Sequence, residues 1–348
     1  MDSQTTHVLV RKVEATFLTL LVSFVVLVPF TETLAAPPAE PPRDVQAGIL
    51  KGMSYLELNG LAWRRDRKCA SCHHVMMMVW TQKEAQRRGL KVDEAGLREA
   101  TEFLLAGDNR ANILSNPDVP LPNNENFVML GPLYALLAFR ENRIPPPPDP
   151  DQTLPRWTAY LRSKQQAGGL WLPHTGRPPV SLNDEESMTL AVLYSLGPDV
   201  DSDVEMKRTQ TQARQWLAAN FKGITPQALC WSILAGYEEK SAAAQLLERQ
   251  NADGGWSQTK ELASDAHTTG QALYAMLSRR SVGTDHPAAV KARDFLLKTQ
   301  TPDGSWPMTS RPRADRPEEG AAKNLEPITY FATAWAVLAL LQHLPPAP

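Results

Sequence analysis

One short motif, repeated three times, constrains the fold of this chain more than any other feature. The repeats read Gln-x-x-x-Gly-x-Trp and span Gln165–Trp171, Gln250–Trp256 and Gln300–Trp306. Each follows a segment with one apolar stripe and one charged face, as an amphipathic helix has. The glycine permits a turn with positive φ, and we expect the glutamine amide to bond unpaired groups at the helix end while the tryptophan ring packs over it. Three motifs in register predict an array of similar helical units.

Other local signals predict twelve helices in six pairs. Asp184, Thr225 and Asp265 stand where helix N-caps are expected, and Gly89 and Gly236 stand where helices end. The segments alternate between helices that are apolar nearly all round and helices with a charged face. This alternation predicts an inner ring of buried helices enclosed by an outer ring. We place the helices near residues 45–58, 73–88, 93–106, 126–142, 153–166, 184–196, 203–220, 225–236, 240–250, 265–280, 285–299 and 326–344.

The three motifs resemble the QW repeats of the squalene cyclase and protein prenyltransferase superfamily. The resemblance covers residues 45–344 and implies an all-α fold, the α/α toroid of six inner and six outer helices around a central cavity. It also implies that the N-terminal ends of the inner helices line the cavity mouth. Cyclases of this kind use an Asp-x-Asp-Asp acid, which this sequence lacks, and the Asp, Cys and His zinc ligands of the prenyltransferases are not matched as a set. Cyclase activity is therefore not expected, and Asp265, which stands alone, is interpreted as an N-cap.

The first residues have the pattern of an export signal. A basic pair precedes an apolar run over residues 16–30, and small residues and prolines follow. This pattern predicts a signal peptide over residues 1–36, a Pro-rich tether over 37–44 and a single toroid domain over 45–344. The alternative is an uncleaved segment that anchors the domain to the outer face of the membrane. Both interpretations place the folded part outside the cytoplasm, in the periplasm.

Cys69, Cys72 and His73 form the sequence Cys-x-x-Cys-His, the attachment motif of c-type haem. Two thiols three residues apart can add to the two vinyl groups on one edge of a haem. The next residue then places an imidazole beneath the iron. Such attachment takes place outside the cytoplasm, in agreement with the export signal. The motif predicts a covalent haem c with His73 as an axial ligand.

Three other interpretations of this motif stay open. A structural zinc site could use Cys69, Cys72, His73 and one remote histidine. A redox-active dithiol would give no role to His73. A simple disulfide is compatible with an oxidising compartment. The third cysteine, Cys230, is interpreted as a buried packing residue.

The sixth ligand of the iron has to come from elsewhere in the chain or be absent. His74 and the three methionines at 76–78 follow His73 on the same helix, so they are interpreted as packing residues on the proximal side. His267 opens the fifth inner helix and His174 lies in a long loop on the same side. These two histidines are the distal candidates.

Charge excludes one class of partner and leaves two classes of function. Lys and Arg number 36 against 38 Asp and Glu, so a nucleic-acid scaffold is not expected. The first function is an exported haem protein that passes electrons to a redox partner or, as a haem-dependent oxidoreductase, acts on an apolar small molecule in the cavity. The alternative is a non-catalytic toroid that binds an isoprenoid, another hydrophobic ligand or a protein, with zinc or a disulfide at the Cys/His cluster. The mixed-charge segment 311–319 is expected to be a solvated loop.

Overall fold

The fold was examined in a computed structural model, which describes residues 43–67, 74–105, 129–140, 152–197, 203–313 and 316–347. These residues all belong to one compact unit, Glu40–Pro348. The predicted export signal, the predicted tether up to residue 42, and Cys69, Cys72 and His73 lie outside the described residues. None of the helices in the described ranges is long and apolar enough to cross a membrane.

The all-α prediction is confirmed, because the described residues form twelve α-helices and one very short β-hairpin. The hairpin pairs β1 (Thr309–Ser310) antiparallel with β2 (Ala322–Lys323). The odd-numbered helices are α1 (Arg43–Arg67), α3 (Glu94–Leu105), α5 (Thr153–Ser163), α7 (Val204–Asn220), α9 (Glu239–Glu248) and α11 (Pro287–Thr299). The even-numbered helices are α2 (Val75–Arg87), α4 (Leu130–Arg140), α6 (Glu185–Leu196), α8 (Pro226–Leu234), α10 (Ala266–Ser278) and α12 (Glu326–Leu341).

The helices form the two rings that the sequence predicts. Each even-numbered helix packs against the next, from α2 through α4, α6, α8 and α10 to α12, and α12 packs back against α2. The odd-numbered helices pack outside: α3, α5, α7, α9 and α11 each contact an inner neighbour, and α1 contacts both α2 and α12. The apolar helices are therefore the inner ring of an α/α toroid, and the amphipathic helices enclose them.

The first helix is longer than predicted. Its pattern suggests an end near residue 58, but α1 continues to Arg67. Gly60 lies within the helix and does not end it. A Cβ at this position would lie within 3.0 Å of the Tyr330 hydroxyl and the Met78 sulfur. The glycine instead allows α1 to approach α12 and α2 closely.

The three repeated motifs adopt one geometry and join neighbouring helix pairs. Each glutamine Nε2 donates to the carbonyl of the motif glycine and to a carbonyl of the next outer helix, at 2.8–3.0 Å. The backbone N–H of each motif tryptophan donates to a threonine hydroxyl of the following inner helix, at 2.9–3.1 Å. In the third motif the acceptors are Gly48 on α1 and Thr333 on α12. This motif therefore closes the ring between the two ends of the domain.

The expected roles of the glutamine and the tryptophan need one correction. A carbonyl near the end of each outer helix accepts a hydrogen bond from the tryptophan, not from the glutamine. The indole Nε1 donates to Leu161, Leu246 or Leu296 at 2.7–2.8 Å. The buried indole thus satisfies a helix-end acceptor, and the shorter glutamine reaches across to the next helix.

Aromatic rings fill the axis of the toroid at one level. Trp335 of α12 contacts Trp80 of α2, Trp231 of α8 and Tyr274 of α10, with ring centroids 5.3–5.7 Å apart. Trp80, Trp231 and Trp335 are completely buried. Because these rings come from four inner helices, they separate the N-terminal end of the toroid from its C-terminal end.

Candidate functional site

The N-terminal ends of three inner helices come together at one end of the toroid. Each begins with the side-chain cap that the sequence predicts. Asp184 accepts a hydrogen bond from the backbone N–H of Ser187 at 2.7 Å on α6, and Asp265 accepts one from Thr268 at 2.8 Å on α10. Thr225 caps α8 in the same way, directly before a proline. Each cap satisfies one of the otherwise unpaired N–H groups of its helix.

Arg311 connects these ends, so the prediction of a solvated loop is wrong at this position. Its guanidinium donates to Gln227 Oε1 on α8 at 3.1 Å, and its backbone N–H donates to Gln258 Oε1 at 3.2 Å. Burial lowers the pKa of Arg311, and the negative charges of Asp184 and Asp265 oppose that shift. Residues 316–319 are exposed, as expected for this part of the segment.

Asp265 is the most perturbed carboxyl group of this cluster. Burial raises its pKa to about 6, although hydrogen bonds from Thr268 and Gln258 oppose the shift. The interpretation as an N-cap is consistent with the structure, since both carboxylate oxygens accept from Thr268. Asp265 also lines a cavity of about 290 Å³ between the loop before α10 and the end of α11.

His267 follows Asp265 by two residues, in the first turn of α10, and lies inside the ring. It is 1% exposed and stacks on Phe331 of α12, with centroids 5.4 Å apart. Burial, and then the positive charge of Arg311, hold the pKa of His267 well below its usual value, so the ring is neutral at pH 7. Neither of its nitrogens has a hydrogen-bond partner, and neither polar atom of Gln271, one turn further along α10, has one. Buried polar groups without partners are rare in protein structures, and each one requires an explanation.

His174 is also buried, in the loop between α5 and α6. Its Nδ1 accepts a hydrogen bond from the backbone N–H of Gly176 at 2.9 Å. The backbone of the loop is fixed by a bond from His174 N to the Leu182 carbonyl at 2.7 Å. Asn183 adds bonds from its amide to the carbonyls of His174 and Gly176.

The described residues that follow the Cys-x-x-Cys-His motif are packing residues, as predicted. His74 is completely buried between Trp63 and Tyr330, with ring centroids 4.1 and 4.0 Å away. The methionines at 76–78 are at most 1% exposed and belong to the hydrophobic core. The chain on both sides of the motif, up to Arg67 and from His74 onward, is thus anchored in the toroid.

A second carboxylate, Glu186, stabilises the same end of the ring. It is 8% exposed, and its two oxygens accept from the backbone N–H groups of Lys222 and Gly223 at 2.7 and 3.0 Å. This pair of bonds fixes the loop between α7 and α8 against α6. Among the described residues, no three His, Cys, Asp or Glu side chains come together in a way that could hold a metal ion.

Sequence reasoning did not find Arg311, Gln227 and Gln271 as parts of the site. Gln227 and Gln271 are polar residues within helices that are otherwise apolar nearly all round, and this contrast was the available signal. Arg311 carries no such signal, because only the tertiary fold shows that its loop folds over the ring.

Comparisons with known proteins support the fold. No protein-family model matches the chain. A stretch of 123 residues is 28% identical to the squalene–hopene cyclase of Bradyrhizobium diazoefficiens, covering 30% of this chain and 19% of that protein. The chain thus spans only about a fifth of the curated relative that it matches.

Solved structures give the same architecture over most of the chain. Two possible members of the GH105 family, from Klebsiella pneumoniae and Salmonella enterica, superpose with TM-scores of 0.54 and 0.53, at 14% and 16% identity. Each match covers 92% of this chain and at least 98% of the other. A variant of the type II terpene cyclase MstE from Scytonema, in complex with geranylgeranyl dihydroxybenzoate, gives 0.51 at 14% identity and covers 87% of this chain and 98% of its own. The chain therefore has a terpene cyclase-like α/α toroid fold.

Proposed function

We propose that this chain is an exported c-type haem protein built on a terpene cyclase-like toroid. The observation that carries the proposal is the sequence Cys-x-x-Cys-His between two anchored ends of the chain, α1 up to Arg67 and the buried His74. Cys69 and Cys72 would hold the porphyrin by thioether bonds, and His73 would be one axial ligand of the iron. The haem supplies one-electron redox chemistry when it is bound.

We propose that His267 would be a second histidine ligand of the iron. An iron ligand must be a neutral imidazole with an available nitrogen, and burial keeps His267 neutral while both of its nitrogens lack hydrogen-bond partners. His267 and His74 also lie against consecutive residues of α12, since His74 stacks on Tyr330 and His267 on Phe331. The imidazole therefore belongs to the same side of the ring as the end of the attachment motif.

His174 is the weaker candidate for this role. Because its Nδ1 accepts the N–H of Gly176, the proton of the neutral ring has to be on Nε2. A protonated Nε2 cannot bind a metal. Ligation by His174 would thus require the Gly176 hydrogen bond to break.

The toroid's own residues would control the surroundings of the haem. Arg311 and its partners close the rim above His267, and the aromatic rings around Trp335 close the axis below it. Exclusion of water on both sides keeps the imidazole uncharged and favours the less charged state of a nearby redox group. This arrangement suits transfer of electrons to a redox partner. If the protein is an enzyme, it would oxidise or reduce an apolar ligand.

The alternative function is binding of an apolar molecule without haem chemistry. The observation that favours it is the set of three buried indole N–H groups, of Trp80, Trp231 and Trp335, that have no hydrogen-bond acceptor. An aromatic interior with a few donors suits a hydrophobic ligand that carries an oxygen atom. In that case zinc or a disulfide would occupy the Cys/His cluster.

Optical spectra of the protein made with its export signal, in cells that mature c-type cytochromes, distinguish these functions. We expect a haem spectrum that stays with the polypeptide after denaturation and acid–acetone extraction. His267→Ala should convert a six-coordinate, low-spin iron into a form that binds carbon monoxide, whereas His174→Ala should leave the wild-type spectrum. A colourless protein that contains zinc, or one with no bound metal, would contradict the proposal.

A further inference from the structure

The C-terminal end of the toroid holds a second site that the haem proposal does not use. A cavity of about 720 Å³ opens there, within the size range of small-molecule pockets. Its walls come from α2, α6, α10 and the end of α12. Tyr274 lines the cavity and also stacks edge-on against Trp335, so it lies between the cavity and the other aromatic rings on the axis.

Four arginines line this cavity, and no carboxylate does within the described residues. Arg87 and Arg88 come from the end of α2, and Arg279 and Arg280 from the end of α10. Two carboxylates that do not line the cavity pair with these arginines. Glu84 binds both Arg87 and Arg88, and an oxygen of Glu239 is 3.8 Å from Arg279. Four positive charges against two negative ones leave an excess of two.

The arginines of α2 are held in place rather than left to move in solvent. Glu84 is 1% exposed and accepts from Arg87 Nε at 2.8 Å, from Arg88 Nε at 3.0 Å and from Gln342 Nε2 at 3.0 Å. Arg88 also donates to the Gln342 oxygen and to the Leu344 carbonyl. A guanidinium fixed in this way loses little conformational entropy when it binds an anion.

Arg280 stands at a position where the backbone favours glycine. Its φ is +59°, and the hydrogen bonds from Arg280 N to Leu277 O and from Ser281 N to Met276 O form the usual glycine-ended helix terminus. The corresponding residues after α2 and α8 are the glycines Gly89 and Gly236. A residue with a side chain is unfavourable in this conformation, and Arg280 is one of four non-glycine residues with a positive φ in the described part of the chain.

Neutralisation of helix ends accounts for only part of this charge. Each helix C-terminus carries about half a negative charge, and cations there are favourable. Arg279 and Arg88 are in the C-cap positions and can serve this purpose. Arg280 lies beyond the helix, is exposed, and has no ion-pair partner among the described residues. The positive charge of Arg280 is therefore available to a ligand in the cavity that it lines.

We infer that this cavity binds a compact, multiply charged anion, a phosphate or the phosphoryl group of a small molecule or lipid. Arginine forks match the paired oxygens of such a group, and Tyr194 and Tyr274 line the same cavity. His267, the proposed iron ligand, is at the start of α10, whereas Arg279 and Arg280 of this cavity follow the end of α10. Either proposal can fail without the other.

Calorimetric titration of the full chain with inorganic phosphate tests the inference. We expect saturable binding that weakens as salt increases, and about tenfold weaker binding in Arg280→Gln, since a charge-assisted bond to an anion contributes about this factor. The control is Arg208→Gln on the outer helix α7, an exposed arginine that does not line the cavity and pairs with Glu205. Arg208→Gln should bind phosphate as the wild type does.

Two further arms separate folding from binding and identify the source of the anion. Arg280→Gly should unfold at a higher temperature than the wild type, because glycine suits the backbone, and yet bind phosphate about tenfold more weakly. Vesicles of phosphatidic acid with phosphatidylcholine that capture the protein in competition with phosphate would indicate a lipid headgroup; no capture would indicate a soluble phosphate. Absence of phosphate binding, or equal weakening in Arg208→Gln and Arg280→Gln, would overturn the inference.

Discussion

Substitution of one glycine in the third repeated motif tests how the toroid is closed. Gly304 has a φ of +90°, and a Cβ there would lie closer than 3.0 Å to the carbonyl of Lys51 on α1. Gly89, at the end of α2, also has a positive φ, +74°, but a Cβ there would meet only the Ala347 Cβ, at 3.6 Å, which is an ordinary contact. Gly304→Ala and Gly89→Ala therefore share the cost of the backbone conformation and differ in the close approach to α1.

The expected costs follow from these two terms. Alanine in a left-handed conformation costs about 1 kcal/mol, and this is the whole effect at Gly89. A methyl group forced against backbone atoms costs about 2 kcal/mol more, so Gly304→Ala should lose about 3 kcal/mol. In a domain of this size, the losses correspond to about 2 °C and about 6 °C in Tm.

Urea and thermal unfolding followed by far-ultraviolet circular dichroism measure both variants. The unfolding slope in urea should be the same in both and in the wild type, so that the midpoints report stability. Equal destabilisation of the two variants would show that contact with Lys51 does not matter. The motif would then not close the ring in the way described.

Three further substitutions probe the motif and the rim. Trp306→Phe leaves the Leu296 carbonyl without its indole donor and should cost about 1–3 kcal/mol in urea unfolding; an unchanged midpoint would refute the capping role. Asp265→Asn keeps the cap but removes a carboxyl group whose pKa is raised to about 6. Between pH 4 and 6 the free energy of unfolding of the wild type should therefore fall by up to about 3 kcal/mol, whereas that of the variant should not. Parallel pH profiles of the two proteins would contradict this. Glu186→Gln should cost about 1–3 kcal/mol because two backbone N–H groups lose a charged acceptor, against less than about 0.5 kcal/mol for the exposed neighbour in Glu185→Gln; equal losses would argue against the loop-fixing role.

The sign of the pH effect at Asp265 follows from proton binding. Its pKa is higher in the folded state than the usual 3.8, so the folded protein holds a proton that the unfolded chain releases. The contribution to stability is therefore complete at low pH and is lost as pH rises through about 6. His343 acts in the opposite direction, because burial lowers its pKa to about 4 and stability falls as pH drops below its usual value of 6.5.

The architecture could be predicted from sequence because its determinants are local. Caps such as Asp184 and Thr225, and the motif glycines, fix helix ends through bonds within a few residues. The alternation of apolar and amphipathic helices then requires two rings. The end of α1 could not be predicted, because Gly60 packs against α12 and α2, and sequence alone does not show that contact.

The candidate site was predictable only in part, for a related reason. His267 could be placed at the start of an inner helix, but its neutrality and its lack of partners follow from burial and from Arg311, which is 44 residues away in sequence. Arg311 and Arg280 lie in loops or at helix ends, where residue type carries little information on burial. Only the folded chain shows that the first covers the rim and that the second lines a cavity.

The central claim, attachment of haem by Cys69 and Cys72, is tested most directly by one comparison. The wild type and Cys72→Ala are made with the export signal in cells that mature c-type cytochromes, and each is then denatured and extracted with acid–acetone. The account predicts that haem absorbance remains with the wild-type polypeptide, at one haem per chain, and is lost from Cys72→Ala while the circular dichroism of the fold is kept. If all of the haem absorbance of the wild type passes into the acid–acetone, or if the wild type has no haem absorbance, the account is contradicted.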